Sequence, residues 1–375
     1  MRKLTINNFG PIDGTFELDL DKKLTVLIGE QATGKTTFSR ILYYCLLCDT
    51  IARFYTSKQR ISFLELKKNE MEEYFRRHYK TGNFSFVYDE YNLFFDIAKK
   101  INENTVSKND LPMVFDKFYI PAGRSTIPLI FDSYAAAKNI EVNPFLDMIL
   151  LYLDKTRKDH QITMQEILKQ IIKFSDNEIN EDNAKACIQL IKEILKGEYS
   201  YSPGNEQIFY NKTMSVPITL ASSGQQEILY ILLILFEVLL EAKPHTIIIE
   251  EPEANMFPIA QKLIMELIAR VINATGSNVI ITTHSPYIIS STNLLLYSDK
   301  VENNIDSKNP IVDPMARLAI DDVSAFLLER NEKFSYRSII DNESNIIRGE
   351  EIDTVSEIIN EKLADLVSLE VENDL

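Results

Sequence analysis

The sequence predicts an α/β fold: a mixed β-sheet with flanking helices, an antiparallel β portion at the N-terminus and an inserted helical lobe. Three observations favour this class. Residues 1–28 form short alternating runs separated by Asn, Gly, Pro and Asp, a pattern typical of strands joined by turns. The β-branched run "KLTVLI" is followed by "TFSRILYYCLL", which has helical spacing. Residues 132–200 are mostly helical in pattern.

The elements can be followed along the chain. A polar stretch, "KGEYSYSPGNEQ", divides the chain, and we expect a core from residues 1–50 and 215–310, a mixed and helical lobe from 51–214, and a mostly helical extension from 311–375. Predicted helices include "ELKKNEMEEYFRRHYK", "NPFLDMILLYLDK", "ITMQEILKQIIKF" and the acidic "EEIDTVSEIINEKLADLVSLE". Predicted strands include "NFSFVYDEYNLFF", "KFYIPAGRS", "HTIIIE" and "SNVIITT".

Composition limits the classes of function. The 375 residues are enough for two or three lobes, and 45% apolar content fits a globular chain. A net charge of −15 argues against a uniformly basic surface that coats nucleic acid. Three cysteines give no disulfide framework, which favours a reducing compartment, and we expect a cytoplasmic protein. The apolar run "ILYILLILFEVLLEA" is interrupted by Glu237 and is too short to cross a bilayer, so no membrane contact is expected.

The stretch "GEQATGKTTF" has the spacing of a phosphate-binding loop between a strand and a helix. In such a loop, glycines allow successive N–H groups to point at phosphate oxygens, and the following helix adds the positive end of its dipole. Lys35 is expected to reach the β- and γ-phosphates of ATP, and the Thr36 hydroxyl to ligate Mg²⁺. The residues predicted to bind ATP are Gly29, Gln31, Ala32, Thr33, Gly34, Lys35, Thr36 and Thr37.

Two later strands end in residues suited to hydrolysis. Glu250 is expected to hold Mg²⁺, directly or through water, and Glu251 to orient and deprotonate the attacking water. His284, in "TTHSP", is expected to contact the γ-phosphate. A further segment, "SSGQQ", opens a helix and so provides a second anion-binding N-terminus.

Along the chain the four motifs come in the order "GEQATGKTTF", "SSGQQ", "IIIEEPE" and "TTHSP". In this order they resemble the ATP-binding-cassette class of ATPases. Within that class the sequence is similar to the heads of RecF, structural-maintenance-of-chromosomes (SMC) and overcoming-lysogenization-defect proteins. It is most similar to stand-alone AAA15/AAA21-like ATPases, several of which serve anti-phage defence systems such as PARIS and Septu. The resemblance implies that Ser222, Ser223, Gly224 and Gln225 cap the γ-phosphate bound to a second subunit, with Ser222 as the contact. ATP would then hold together a head-to-tail dimer or a larger homo-oligomer.

The expected function is therefore an ATPase that self-associates with ATP and controls a separate effector, such as a nuclease, in phage defence. Its trigger is expected to be a nucleic acid or a phage protein. Two alternatives stay open: a RecF-like DNA repair ATPase, and a small-molecule kinase, which would not need "SSGQQ" or the His284 strand. Residues 300–375 lack the strand pattern of a TOPRIM nuclease.

Several residues have more ordinary interpretations. Arg124 could reach phosphate or a neighbouring subunit, or form a structural salt bridge. Cys45 and Cys48 are expected to pack in the core, and "RRHYK" to form a solvated helix face. Gln59 is one candidate for a magnesium-sensing glutamine. Where relatives continue the acidic strand as "EPEAHLHP", this chain has "EPEANMFP", and Asn255 and Phe257 replace both histidines.

Overall fold

The computed structural model describes residues 2–53, 58–79, 83–88, 91–96, 116–130, 143–175, 178–302, 309–349 and 362. Its strands are β1 Arg2–Phe9, β2 Ile12–Asp19, β3 Leu24–Gly29, β4 Asn83–Tyr88, β5 Tyr91–Asp96, β6 Lys117–Ile120, β7 Glu198–Ser202, β8 Asn205–Phe209, β9 Ser215–Pro217, β10 Thr246–Glu250, β11 Asn278–Thr283, β12 Val323–Arg330, β13 Phe334–Ser338, β14 Ile340–Asp341 and β15 Ile346–Ile347. Its α-helices are α1 Lys35–Arg53, α2 Lys58–His78, α3 Pro144–Thr156, α4 Met164–Phe174, α5 Glu181–Leu195, α6 Ser223–Glu241, α7 Pro258–Thr275 and α8 Pro286–Glu302.

The central sheet has six strands in the order β13-β12-β3-β11-β10-β6. Its inner strands run parallel, and only β13 at one edge is antiparallel to its neighbour. Strands β3 and β10 are buried along their whole length, as continuous β-branched runs between two layers of helices should be. Because parallel strands end on one side, the residues after β3, β10, β11 and β12 meet at a single edge of the sheet.

An antiparallel sheet in the order β2-β1-β4-β5 lies beside this core. Aromatic side chains fill the space between it and helices α1 and α2, with Phe9 packed edge-to-face on Phe75 and Phe84. Tyr44 of α1 makes edge-to-face contacts with the same two phenylalanines. Such ring pairs stabilise the interface beyond the area that they bury. The predicted α/β class, with a mixed sheet, flanking helices and an antiparallel N-terminal portion, is confirmed.

The predicted domain limits need two corrections. Strand β6 lies inside the predicted insertion 51–214 but pairs with β10 in the central sheet. The described part of the predicted helical extension 311–375 contains strands, and β12 pairs with β3 over six register positions. The partners of β6 and β12 lie far away in the chain. The local sequence therefore does not show that these strands belong to the central sheet. The predicted acidic helix after residue 350 lies outside the described residues.

Helix α6 is the one helix among the described residues that is long and apolar enough to cross a membrane by length and composition alone. Within the protein it is a core helix, and 72% of its most apolar window is buried. It packs against α5 and α7. Its N-terminus therefore has a fixed position relative to the strand ends described below.

Candidate nucleotide site

The loop after β3 is shaped by two glycines whose backbones other residues could not easily adopt. Gly29 has φ of 157° and Gly34 has φ of 102°. A Cβ atom on Gly29 would lie 2.2 Å from the carbonyl oxygen of Leu328 in β12, which is a steric overlap with backbone. The phosphate-binding loop therefore lies directly against the neighbouring strand. Ala32 has φ of 64°, a left-handed conformation that costs about 1 kcal/mol in a residue with a side chain.

Lys35 is buried at the start of α1, and its Nζ donates hydrogen bonds to the carbonyls of Gly29 and Glu30, each at 2.7 Å. An ammonium group has three donors, so one is left for a ligand. Burial lowers the pKa of Lys35 to about 8, although the negative charge of Glu251 and other acids opposes this shift. The Thr33 hydroxyl also donates to Glu30, at 2.9 Å, and helps to hold the loop closed around the lysine.

Glu250 lies at the end of β10 and is only 2% exposed. Burial raises the pKa of its carboxyl group, and the nearby Arg40 charge and Thr36 hydroxyl partly oppose that effect. The Ala122 N–H donates to Oε2 at 3.3 Å, whereas Oε1 has no hydrogen-bond partner in the described part of the chain. A buried carboxylate oxygen without a partner is costly unless a cation binds it. Thr36 and Glu250 therefore fit a Mg²⁺ ion whose other ligands are phosphate and water.

The described residues contain no group of three or more His, Cys, Asp or Glu side chains that could hold a metal by themselves. This agrees with a site in which the nucleotide completes the coordination, since Mg²⁺ usually keeps several waters and uses one or two protein ligands.

Glu251 follows directly and has a left-handed backbone with φ of 44°. Its N–H donates to the Thr282 carbonyl at 2.8 Å, and its own carbonyl accepts from Ala254 N–H at 3.0 Å. The His284 Nε2 lies 3.0 Å from Glu251 Oε1, and this hydrogen bond is the main reason that the pKa of Glu251 is lowered. The carboxylate is therefore ionised at neutral pH. Strained residues of this kind persist only where the surroundings fix them.

Glu253 has a different role from the two acids before it. Its Oε1 accepts from the Thr283 hydroxyl at 2.7 Å and from the His284 N–H at 2.8 Å. It thus fixes the turn that presents His284 to Glu251. From the sequence, Glu253 is the third acid after the strand and the next candidate for the catalytic base after Glu251. Its partners lie on the next strand, so the sequence alone does not identify this role.

Arg124 is 1% exposed and is surrounded by residues of its own chain. It donates to the carbonyl oxygens of Glu250 at 2.6 Å, Glu251 at 2.9 Å and Glu227 at 2.7 Å. Its guanidinium also lies 3.5 Å from the Glu227 carboxylate. Of the two interpretations of Arg124, the structure supports the buried structural one: Arg124 fixes the backbone that carries both acids.

The segment "SSGQQ" forms the N-terminus of α6, where Ser222 is the N-cap of a capping box with Gln225. Gln225 Nε2 also donates to the Leu195 carbonyl at 2.8 Å, which ties the helix start to the end of α5. A Cβ atom on Gly224 would lie 2.6 Å from the Asn255 carbonyl. Asn255 itself has φ of 56°, a conformation that asparagine tolerates well. Ser222 and Ser223 are exposed.

An open cleft of about 260 Å³ lies over the phosphate-binding loop. Its lining includes eight residues predicted from the sequence: Gln31, Ala32, Gly34, Lys35, Thr36, Thr37, Glu251 and His284. Pro11 and Arg330 also line it and were not predicted. Ser222 to Gln225 are not among the lining residues. The loop, the catalytic candidates and the cleft therefore form one site, and the α6 N-terminus is separate from it.

The other interpretations can be compared with the structure. Cys45 and Cys48 are buried, and burial raises the pKa of Cys48 to about 12, as expected for core thiols. Arg76 and Arg77 pair with Glu72 and Glu73 one helical turn away on α2. The side chain of Gln59 lies outside the described residues.

This fold and this site define a P-loop protein of the ATPase class. Residues 1–91 and 130–289 match the family model AAA_15, described as "AAA ATPase domain". The match covers more than half of the chain, so the chain belongs to this family of AAA ATPase domains.

Solved structures of SMC heads are also similar. The SMC head domain from Thermotoga maritima matches with a TM-score of 0.40 and 9% identity, over 90% of this chain and 98% of that chain. The Smc head domain with an extended coiled coil bound to the C-terminal domain of ScpA, derived from Pyrococcus furiosus, matches with a TM-score of 0.40 and 10% identity, over 96% of this chain and 100% of that chain. No match was found among curated proteins.

Proposed function

We propose that this protein binds and hydrolyses ATP in the cleft over residues 29–37, with Glu251 as the catalytic base. The observation that carries the proposal is the convergence of a buried lysine, a free carboxylate oxygen and a paired Glu251–His284 at one edge of the sheet. The AAA ATPase family match supports the same activity. Lys35 and the loop N–H groups neutralise the phosphates, and Mg²⁺ would supply further charge stabilisation when bound by Thr36 and Glu250.

The chain's own residues divide the remaining work. Glu251, kept ionised by His284, accepts a proton from the attacking water and orients it. His284 contacts the γ-phosphate, and Glu253 holds the His284 backbone in place. Arg124 keeps the Glu250–Glu251 peptide fixed through its carbonyl oxygens. Preorganisation of this kind lowers the reorganisation needed in the transition state.

Hydrolysis is tested by Glu251→Gln, which should bind ATP but turn it over at least about a hundredfold more slowly, the scale typical of losing a general base. Lys35→Ala should abolish ATP binding. Glu253→Gln changes the neighbouring acid that positions His284 and tests whether the base is Glu251 or Glu253. Near-normal turnover by Glu251→Gln, with a larger loss in Glu253→Gln, would move the base to Glu253. Micromolar ATP binding by Lys35→Ala would contradict the assignment of residues 29–37 as the phosphate-binding loop.

We further propose that the site is completed by a second copy of the chain. Ser222 is exposed, capped and absent from the lining of its own cleft, which supports a role toward another molecule. Two large apolar side chains near this surface, Leu220 and Phe257, are 75% and 78% exposed. Phe257 lies two residues after Asn255, whose carbonyl oxygen packs closely against Gly224 at the start of α6. An apolar, exposed surface beside an unused helix N-terminus is suited to self-association around a γ-phosphate.

Assembly is tested by mixing variants. Ser222→Glu should leave nucleotide binding by one subunit nearly intact. It should abolish hydrolysis, because its negative charge would lie where the γ-phosphate bound to the partner subunit should lie. Mixing Ser222→Glu with Lys35→Ala should restore part of the activity, since one composite site then has both intact halves. Sedimentation should show that ATP and self-association strengthen each other. No rescue, together with an oligomer that ATP does not change, would mean that one chain contains the whole site.

The biological role that we propose is cytoplasmic control of a separate effector, such as a nuclease, in anti-phage defence. It is supported by the resemblance of the four motifs to defence ATPases and by the net charge of −15, which is unfavourable for a dedicated DNA-coating protein. Affinity capture from the native host, in the presence of ATP and with Glu251→Gln to prolong the ATP-bound state, should recover the effector. Recovery of replication proteins instead would favour a RecF-like role in repair.

A further inference from the structure

Arg330, the last residue of β12, is a cation of the cleft that neither the motifs nor the family match assigns. It is exposed, and within the described part of the chain its side chain has no hydrogen bond or ion pair. It lines the cleft together with Pro11 and Gln31. A guanidinium group has five donors and is permanently charged, so an arginine free of partners beside a phosphate-binding loop is available for an anionic ligand.

The backbone of Arg330 is held from two sides. Strand β12 pairs with β3 in parallel, with Leu328 opposite Gly29. On its other side Arg330 pairs with Phe334 in β13, and the Phe334 N–H donates to Asp13 at 2.7 Å. Phe334 also packs edge-to-face on Phe16 of β2. The Cα of Arg330 is therefore fixed relative to the phosphate-binding loop, and its side chain is the part that can adapt.

The order of strands indicates which part of a nucleotide Arg330 would meet. Along the sheet edge, β12 lies on one side of β3, and β11 and β10 lie on the other. The residues for hydrolysis, His284 and Glu251, follow β11 and β10, so the γ-phosphate belongs on that side of the loop. The α-phosphate and ribose must then extend toward the opposite side, where Arg330 and the β1–β2 turn with Pro11 form the wall.

We propose that Arg330 binds the α-phosphate and ribose end of the nucleotide, which ATP and ADP share; this rests on the proposed function of the cleft. The charges of the cleft favour such a contact. Its lining contains two cations, Lys35 and Arg330, while Glu250 and Glu253 lie close enough to act on the lysine. The Arg330 guanidinium stays charged at every physiological pH, so it is a constant positive charge in the cleft lining.

The test is to measure the affinity of Arg330→Ala for ADP and for a non-hydrolysable ATP analogue. Both affinities should fall by the same factor, about tenfold for one charge-assisted contact. Arg330→Lys should recover part of the loss. Lys333→Ala removes an exposed cation from the same hairpin, away from the cleft lining, and should leave both affinities unchanged.

Three results would overturn the proposal: unchanged affinity for both nucleotides, loss for the ATP analogue alone, or an equal loss in Lys333→Ala. The second would place Arg330 at the γ-phosphate, and the third would indicate a general effect of net charge. Failure of the proposed function is a separate outcome. In that case the wild type and Lys35→Ala would bind both nucleotides equally weakly, and the assignment of Arg330 would fall with it.

Discussion

The cleft over the phosphate-binding loop and the exposed start of α6 differ in how far each satisfies its own polar groups. The cleft contains a buried lysine and two non-glycine residues with left-handed backbones, Ala32 and Glu251. At the adjoining end of β10, Glu250 has a carboxylate oxygen without a partner among the described residues. At α6, by contrast, Ser222 and Gln225 satisfy each other, and Gln225 also binds the neighbouring helix. The cleft therefore has unsatisfied groups that a bound ligand would satisfy, whereas the polar groups at the start of α6 are already satisfied by the chain.

The largest effect should come from removing the support beneath the cleft. Arg124→Met leaves the carbonyls of Glu250 and Glu251 without their donors and Glu227 without its charge partner, so we expect a loss of about 3–5 kcal/mol in the free energy of unfolding. Urea denaturation of the wild type and the variant measures this difference in the free energy of unfolding. Arg77→Met, on the exposed face of α2, should change it by about 0.5 kcal/mol or less. A loss below about 1 kcal/mol for Arg124→Met would mean that the buried arginine does not hold the acids in place.

The next effect is the pH dependence of nucleotide binding, which comes from Lys35 in the cleft. Lys35 has a pKa of about 8 in the folded protein and 10.5 when unperturbed. Above pH 8 the free protein loses this charge, so ATP binding must take up a proton and should be about tenfold weaker at pH 9 than at pH 7. The lysine contribution to the free energy of unfolding has the opposite trend: it rises between pH 8 and 10.5, because there the unfolded chain binds more protons.

Nucleotide titrations at several pH values measure this effect. Removing the Arg330 charge should weaken binding at every pH without changing the slope. An affinity that is flat from pH 7 to 9 would show that Lys35 is already fully charged when the nucleotide arrives.

The smallest effect should come from the start of α6. Ser222→Ala removes an N-cap and should cost about 1 kcal/mol of stability. Thr163→Ala removes the matched capping box at the start of α4 and should cost about the same. Only Ser222→Ala should also weaken ATP-dependent self-association. Equal behaviour of the two variants in sedimentation would show that the Ser222 hydroxyl is no more than a helix cap.

Local motifs made most of the cleft predictable. Glycine spacing and a strand–loop–helix context are enough to place Lys35 and Thr36, and consecutive acids at a strand end are enough to place Glu250 and Glu251. What escaped prediction is which residues far apart in the chain come into contact. Arg124 lies 127 residues before its partner Glu251, and Arg330 reaches the cleft only because β12 pairs with β3. An isolated arginine in a strand-like run gives no sign of which strand it will lie beside.

The contact between Gly29 and Leu328 also has a consequence for the order of events during synthesis. The phosphate-binding strand is made among the first residues but is completed by one of the last strands: Thr25 and Ser324, which share a hydrogen bond, are 299 residues apart. At typical rates of protein synthesis this separation corresponds to a wait of roughly 15–60 s. During that time the growing chain has its phosphate-binding loop but not β12, the strand whose Leu328 carbonyl lies directly against Gly29. We therefore expect ATP capture to begin only when β12 has left the ribosome, so that a partly made chain cannot join an ATP-bound assembly.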